Sequence, residues 1–394
     1  MSAILDDLRL RPELQEDWLG ACLSALVSTP SVSGVHGELA MAQRVAAYLE
    51  PTGCELTLVE SLPGRPSLAA VLEGRGPGPR LVLNGHMDTV PPDDLSLWTV
   101  DPFGGEIRDG AVWGRGALDM KGGLVCQIAC AHVLSGLERR GTLVLHFACG
   151  EETGERGTLS LLERGFGGDV GITTEPTALA VAVAQRGVAY YKIVLQGRSA
   201  HASTPRSGHN PLGQVAALLE ALERYEARIA VRTHPLFPPA TCTPTMIRAG
   251  VQQNAVPDVC ELVVDRRLLP GDSPEAVLRE LEAIVASTLQ PEDRITGAVE
   301  LYHHPFEPAE IPADSPFAAR VLDAVEAVTG RRPPFIGTPY GSDVRNLVND
   351  AGMEAVTFGP GDVTGAHVPD EHLGLAELRQ AALVVTMVAV DLLI

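Results

Sequence analysis

The chain has 394 residues, 45% of them apolar and 20% charged, which are globular values and leave room for two domains with separate cores. A formal charge of −20 argues against nucleic acid and anionic membrane surfaces as partners. The stretch MSAILDDLRLRPELQEDW lacks the apolar core of a secretory signal, and the closing apolar run from Ala381 to Ile394 is too short to span a bilayer. With seven cysteines in no paired framework, these features predict a soluble cytoplasmic protein with reduced thiols.

Amphipathic helices are predicted from about Glu13 to Val27 and from Gly37 to Leu49, separated by the turn-rich Ser28-Thr29-Pro30-Ser31-Val32-Ser33. Strand-like runs follow at Glu55 to Val59, Ser67 to Leu72 and Arg80 to Leu83. The third delivers His86 and Asp88 to its end, and residues two apart on an extended chain face the same way. An imidazole that binds a metal needs an acceptor on its other nitrogen, and Asp88 is the natural candidate. A loop-rich segment from Val90 to Asp119 contains a predicted hairpin around Arg108-Asp109-Gly110. Next come an apolar helix (Gly122 to Leu137), a strand (Thr142 to Ala148), Gly150-Glu151-Glu152, a short helix near Leu159 to Arg164, and a strand ending in Thr173-Thr174-Glu175-Pro176. The alternation predicts an α/β fold with a mainly parallel central sheet, whose strand ends would bring His86, Glu151 and Glu175 to one edge.

From Val188 the order changes to strand, helix, strand, strand, helix, strand, ending near Tyr302. That is the βαββαβ order of a ferredoxin-like unit. Beyond it, helix Pro316 to Thr329, helix Asp343 to Asp350, strand Ala355 to Phe358 and a final helix from about Leu375 resume the α/β alternation. The expected architecture is a discontinuous domain, residues 1–185 and 305–394, with a second domain inserted at 186–304.

His86, Asp119, Glu152, Glu175 and His367, with Glu151 adjacent, form a candidate ligand set. Two imidazoles with carboxylates and no thiolate suit zinc, cobalt or manganese in a working site better than a purely structural zinc. Were two ions bound, Asp119 in the glycine-flanked Gly116-Ala117-Leu118-Asp119-Met120-Lys121-Gly122-Gly123 is the candidate bridge. One of Glu151 and Glu152 can bind metal while the other takes and returns a proton. Singly, each residue has an ordinary reading: solvated glutamates, a helix-capping aspartate, a surface histidine. Their joint placement at strand ends and glycine-rich turns favours the metal site.

These ordered motifs resemble the co-catalytic zinc amidohydrolase and exopeptidase family of acetylornithine deacetylase, succinyl-diaminopimelate desuccinylase, aminoacylase and glutamate carboxypeptidase, over nearly the whole chain. The segment Phe358-Gly359-Pro360-Gly361-Asp362 through Ala366-His367-Val368-Pro369-Asp370-Glu371 looks closest to the acetylornithine deacetylase branch. The resemblance implies two divalent ions, zinc first, with His86 and Glu175 on one, Glu152 and His367 on the other, and Asp119 bridging. It also implies that Asp88 orients His86, that Glu151 is the general acid/base, and that the Asp119-Met120 peptide is cis. The inserted domain becomes a lid and dimerisation domain in which His201, in Gly197-Arg198-Ser199-Ala200-His201-Ala202-Ser203, reaches the partner's active site. Asn254 and Arg267 match substrate-holding positions, Arg267 being preferred over Arg266, and Gly341-Ser342-Asp343 resembles a substrate-binding turn. The implied activity is deacylation of a small N-acyl amino acid by a homodimer. Desuccinylase, dipeptidase or carboxypeptidase activity with the same metals, and a non-catalytic binding protein on this scaffold, are the rival readings.

Overall fold

The computed structural model describes residues 2–35 and 37–394, which divide into two compact units. The first runs to Ala184 and resumes at Glu310–Thr338 and Ser342–Ile394; the second is Gln185–Ala309 with Pro339–Gly341. In chain order the first unit opens with helices α1 (Ser2–Leu8), α2 (Glu16–Val27) and α3 (Glu38–Leu49), then strands β1 (Glu55–Leu62), β2 (Arg65–Leu72) and β3 (Arg80–His86). The predicted hairpin is β4 (Glu106–Arg108) and β5 (Ala111–Trp113); α4 (Gly122–Ser135), β6 (Thr142–Ala148), α5 (Gly157–Glu163), β7 (Val170–Thr173) and β8 (Ala182–Gln185) follow. The second unit holds β9 (Gly187–Gln196), β10 (Ala200–His201), α6 (Val215–Ile229), β11 (Thr241–Ala249), β12 (Ala255–Val256), β13 (Val259–Leu268), α7 (Pro274–Thr288) and β14 (Thr296–Leu301). The chain closes with β15 (Ala309–Glu310), α8 (Pro316–Thr329), β16 (Ile336–Thr338), β17 (Glu354–Thr357), β18 (His372–Gly374) and α9 (Leu375–Leu393).

The large sheet runs β1-β2-β6-β3-β7-β17-β8 and is mixed, which corrects the expectation of a mainly parallel sheet. Its centre, β6, β3, β7 and β17, is parallel. At one edge β1 and β2 are antiparallel because only Pro63-Gly64 separates them, too short for a crossover, and β2 pairs β6 antiparallel. The parallel centre is what matters for the site, since β3, β6 and β7 send their following residues to one edge. Helix α4 is buried almost throughout and packs against α9. The stretch Ala117–Ser135 is long and apolar enough to cross a bilayer, and 89% of it is buried inside the protein.

Two glycines allow the close approach that sets up this edge. A Cβ at Gly85, inside β3, would lie 2.5 Å from Met120 Cε, and one at Gly123, in the first turn of α4, 2.0 Å from the Thr174 carbonyl oxygen. In the second unit, an antiparallel sheet ordered β11-β13-β9-β14 packs one face on α6 and α7, and β9 accordingly alternates between buried and half-buried positions.

Candidate metal centre

His86 ends β3 with its ring buried. Its Nδ1 lies 2.9 Å from the Asp88 carbonyl oxygen, to which it must donate, so Nε2 is the ring atom left to bind a ligand. That Nε2 sits 3.2 Å from Asp119 Oδ1, 3.5 Å from Glu175 Oε1 and 4.0 Å from Glu151 Oε2. On the other side His367, held at φ +58°, places Nε2 3.2 Å from Asp119 Oδ2 and 3.2 Å from Glu152 Oε1. Asp119 therefore stands between two imidazoles with one oxygen toward each. One ligand atom each of His86, Asp119 and Glu152 falls within a 4.8 Å group, a spacing that could hold a cation.

The turns carrying these groups are fixed by two further carboxylates. Asp88 meets the His86 ring through its main-chain carbonyl, while its buried carboxylate accepts from the Ser33 hydroxyl and from the backbone N–H groups of Glu151 (3.2 Å) and Glu152 (3.1 Å). Glu371 Oε1 accepts the N–H groups of Leu118 (3.0 Å) and Asp119 (3.1 Å), and its Oε2 accepts from Arg115 at 2.5 Å. The Asp119-Met120 peptide is cis.

Burial raises the proton affinity of Glu151, Glu152 and Glu175, and neighbouring carboxylates add to the effect. Burial pushes Asp119 the same way, but hydrogen bonds from His367 and His86 outweigh it and hold that carboxyl low. His367, bonded to Asp119 and Glu152, is pushed up to about 10. So many buried acids around two imidazoles leave a pocket short of positive charge. Two imidazole nitrogens among carboxylates, with no thiolate, fit divalent zinc, cobalt or manganese.

The remaining predicted residues, apart from Ser342, lie in the second unit. His201 is exposed, its Nδ1 2.7 Å from the Ser203 hydroxyl, and the carbonyl of Asn254, in the turn leading into β12, accepts from Ala202 N–H at 2.9 Å, so Asn254 flanks the small β10–β12 ladder that carries His201. Arg267 is forked onto Asp265 at 2.9 and 3.1 Å, whereas Arg266 is buried toward Tyr225 and Asp272. Gly341 lies where a Cβ would come 2.6 Å from Phe306 Cβ; Ser342, in the first unit, is fully buried.

A family model described as Peptidase family M20/M25/M40 matches residues 82–391. The chain belongs to this family. Among curated relatives it is 27% identical to N-formyl-4-amino-5-aminomethyl-2-methylpyrimidine deformylase of Halalkalibacterium halodurans, covering 96% of this chain and 95% of the relative. It is 31% identical to succinyl-diaminopimelate desuccinylase of Methylorubrum extorquens (91% and 94% covered) and 28% identical to acetylornithine deacetylase of Myxococcus xanthus (79% and 80%). Its fold is that of an M20 family metallo-carboxypeptidase from Sulfolobus solfataricus, at TM-score 0.78, 19% identity and coverage of 97% and 99%. It is also that of a dinuclear metal-binding M20 peptidase from Bacillus subtilis, at TM-score 0.72, 17% identity and coverage of 96% and 98%.

Two buried residues of this M20 chain, Glu371 and Arg115, have no role legible in the sequence, and a third, Asp343, enters there only as part of a turn resembling a substrate-binding one. Glu371 closes the segment Ala366-His367-Val368-Pro369-Asp370-Glu371, and nothing in that pattern signals that its oxygen reaches the N–H groups of residues 118 and 119. Arg115 is 1% exposed, and only a buried partner explains such a residue. Asp343, 2% exposed, accepts from the Thr158 hydroxyl at 2.6 Å, and burial raises its proton affinity beside the glutamates. A charged residue between Ser342 and the apolar Val344 was the one available signal.

Proposed function

We propose that this M20-family hydrolase removes a small acyl group from an N-acyl amino acid, in the manner of an acetylornithine deacetylase. One observation carries the reading: Asp119 presents separate oxygens to two imidazoles, while Glu151 stands back at 4.0 Å from His86 and is free for proton transfer. His86 and Glu175 would hold one divalent ion, Glu152 and His367 a second, with Asp119 between them. When bound, such ions polarise the scissile carbonyl and acidify water. Glu151 takes the proton of the attacking water and returns it to the amine nitrogen as the C–N bond breaks, releasing a carboxylate and an amine. Asp88 keeps Glu151 and Glu152 aimed apart by gripping their backbone N–H groups.

The second unit is read as a ferredoxin-like lid and dimerisation domain, a reading supported by its strand and helix order. His201 of a second copy would donate to the developing oxyanion. Arg267 would exchange Asp265 for the substrate carboxylate, a fork that suits bidentate pairing. Seven free cysteines suit a cytoplasmic location. The relatives named above carry formyl, succinyl or acetyl as the acyl group removed in their names, so acyl transfer from an amine to water is the chemistry those names share.

The test is amine release from N-formyl, N-acetyl and N-succinyl amino acids, run beside dipeptides on metal-analysed protein. Chelator-sensitive hydrolysis of one N-acyl class is expected. Turnover of dipeptides alone would move the assignment to a dipeptidase, and metal-loaded protein inert on the whole panel would favour a binding protein.

A further inference from the structure

The loop from Asp362 to His372 does two things at once. At His367 it delivers an imidazole to Asp119 Oδ2 at 3.2 Å; four residues later Glu371 takes the N–H of the same Asp119 at 3.1 Å. Glu371 is further tied through its carbonyl, which accepts from Gly114 N–H at 2.8 Å, and the preceding Asp370 accepts from Thr99 N–H at 2.7 Å and its hydroxyl at 2.9 Å. One short loop thus grips the aspartate by backbone and by side chain.

The Arg115–Glu371 pair is a poor device for stability alone. Both side chains are buried, and Arg115 Nε and Nη2 have no hydrogen-bond partner among the described residues; one face of the guanidinium is covered by Trp98, 5.2 Å away. Burying charge with spare donors costs about as much as the pairing returns. What the pair does supply is a fixed oxygen, Oε1, held by Arg115 against two consecutive N–H groups of the turn that carries Asp119. A carboxylate accepting backbone N–H groups in a dry site makes strong, directional bonds.

We infer that Glu371, locked by Arg115, is the positioning residue that sets Asp119 against His367. Metal retention then depends on the Glu371 acceptor, an inference that rests on the proposed two-ion site. Glu371→Gln/Arg115→Met keeps Oε1 and removes the cation that would clash with the new amide. Glu371→Leu/Arg115→Met has the same neutral partner and no acceptor.

Metal-stripped full-length protein is titrated with zinc and with cobalt against a chromophoric chelator, with thermal melts of the metal-free forms as the fold control. The Gln double variant should bind both equivalents close to the wild-type value, and the Leu double variant should bind about 10- to 100-fold more weakly. Metal-saturated, the Leu form should lose kcat with KM little changed. Equal metal affinity in the two double variants would overturn the assignment while leaving the metal site standing. A wild-type chain that binds neither metal would overturn the metal site and the assignment with it. If the Leu form does not fold, Glu371→Asp, which keeps the charge on Arg115 but withdraws the oxygen by one methylene, takes its place. Weaker metal binding is expected there, and unchanged binding refutes the role.

Discussion

Glu151 and Glu152 are neighbours in sequence with different surroundings: Glu152 meets His367 at 3.2 Å, and Glu151 stays 4.0 Å from His86. Replacing Glu151 by Ala should leave metal content unchanged and lower turnover by about 10²- to 10⁴-fold. Metal analysis with steady-state kinetics checks this, and near-normal turnover would remove Glu151 from the mechanism. A second residue gives a pH signature away from the metal cluster. His146 is buried, its Nε2 donates to the Phe166 carbonyl at 2.8 Å, and its Nδ1 faces the Asn84 amide at 3.5 Å. Burial lowers its pKa from 6.5 to about 4. The unfolded chain therefore binds a proton more readily between those values. Stability from neutral His146 is complete above about pH 6.5 and is lost as pH falls to about 4, at a cost of about 3 kcal/mol. Urea unfolding across this window should show a shallower pH slope for His146→Gln than for the wild-type chain; parallel slopes would mean the imidazole does not stay neutral in the fold.

At the scale of elements, the site depends on how closely α4 and its leading turn approach the ends of β3 and β7. Gly123→Ala pushes a methyl to 2.0 Å from the Thr174 carbonyl oxygen, an atom of rigid backbone next to Glu175. The helix must shift, and a loss of about 3 kcal/mol is expected by thermal or urea unfolding, together with weakened metal binding. An unaffected melt would show that this contact has slack. The same elements explain what was readable in the sequence. Apolar runs ending at His86, before Glu151 and before Glu175 locate strand ends, because burial on both faces leaves a continuous hydrophobic signal. The strand–helix alternation behind the mainly parallel expectation does not extend to β1 and β2, where the two-residue connection Pro63-Gly64 dictates antiparallel pairing. The sequence assigns Asp88 to the His86 ring and gives Glu371 no role; the backbone N–H groups that both carboxylates accept from are marked by no residue pattern. Helix α1 was not anticipated either; its seven residues are too few for a clear apolar period.

For the whole molecule, the proposed homodimer requires a surface able to join two copies. Among the described residues strand β11 is an edge strand, paired with β13 on one side, and from Thr243 to Ala249 every residue is exposed. Met246 and Ile247 are 41% and 52% exposed, and on the adjoining helix α6 Leu219 is 38% exposed; a groove of about 520 Å³ between helix and strand is lined by Leu219, Ala227 and Pro244. Pro244, the bulge between Pro244 and Met246, and Arg248 blunt parts of this edge, which leaves the apolar Met246-Ile247 pair as the stretch able to take a second strand, and a charge placed there opposes pairing. Ile247→Lys should therefore halve the sedimentation mass while leaving metal binding intact. Because His201 is assigned to the partner's site, the resulting monomer should also lose hydrolysis, and a mixture of Glu151→Ala and His201→Ala subunits should recover it. A fully active monomer would place His201 in its own subunit's reaction, and an unchanged mass would move the interface off β11.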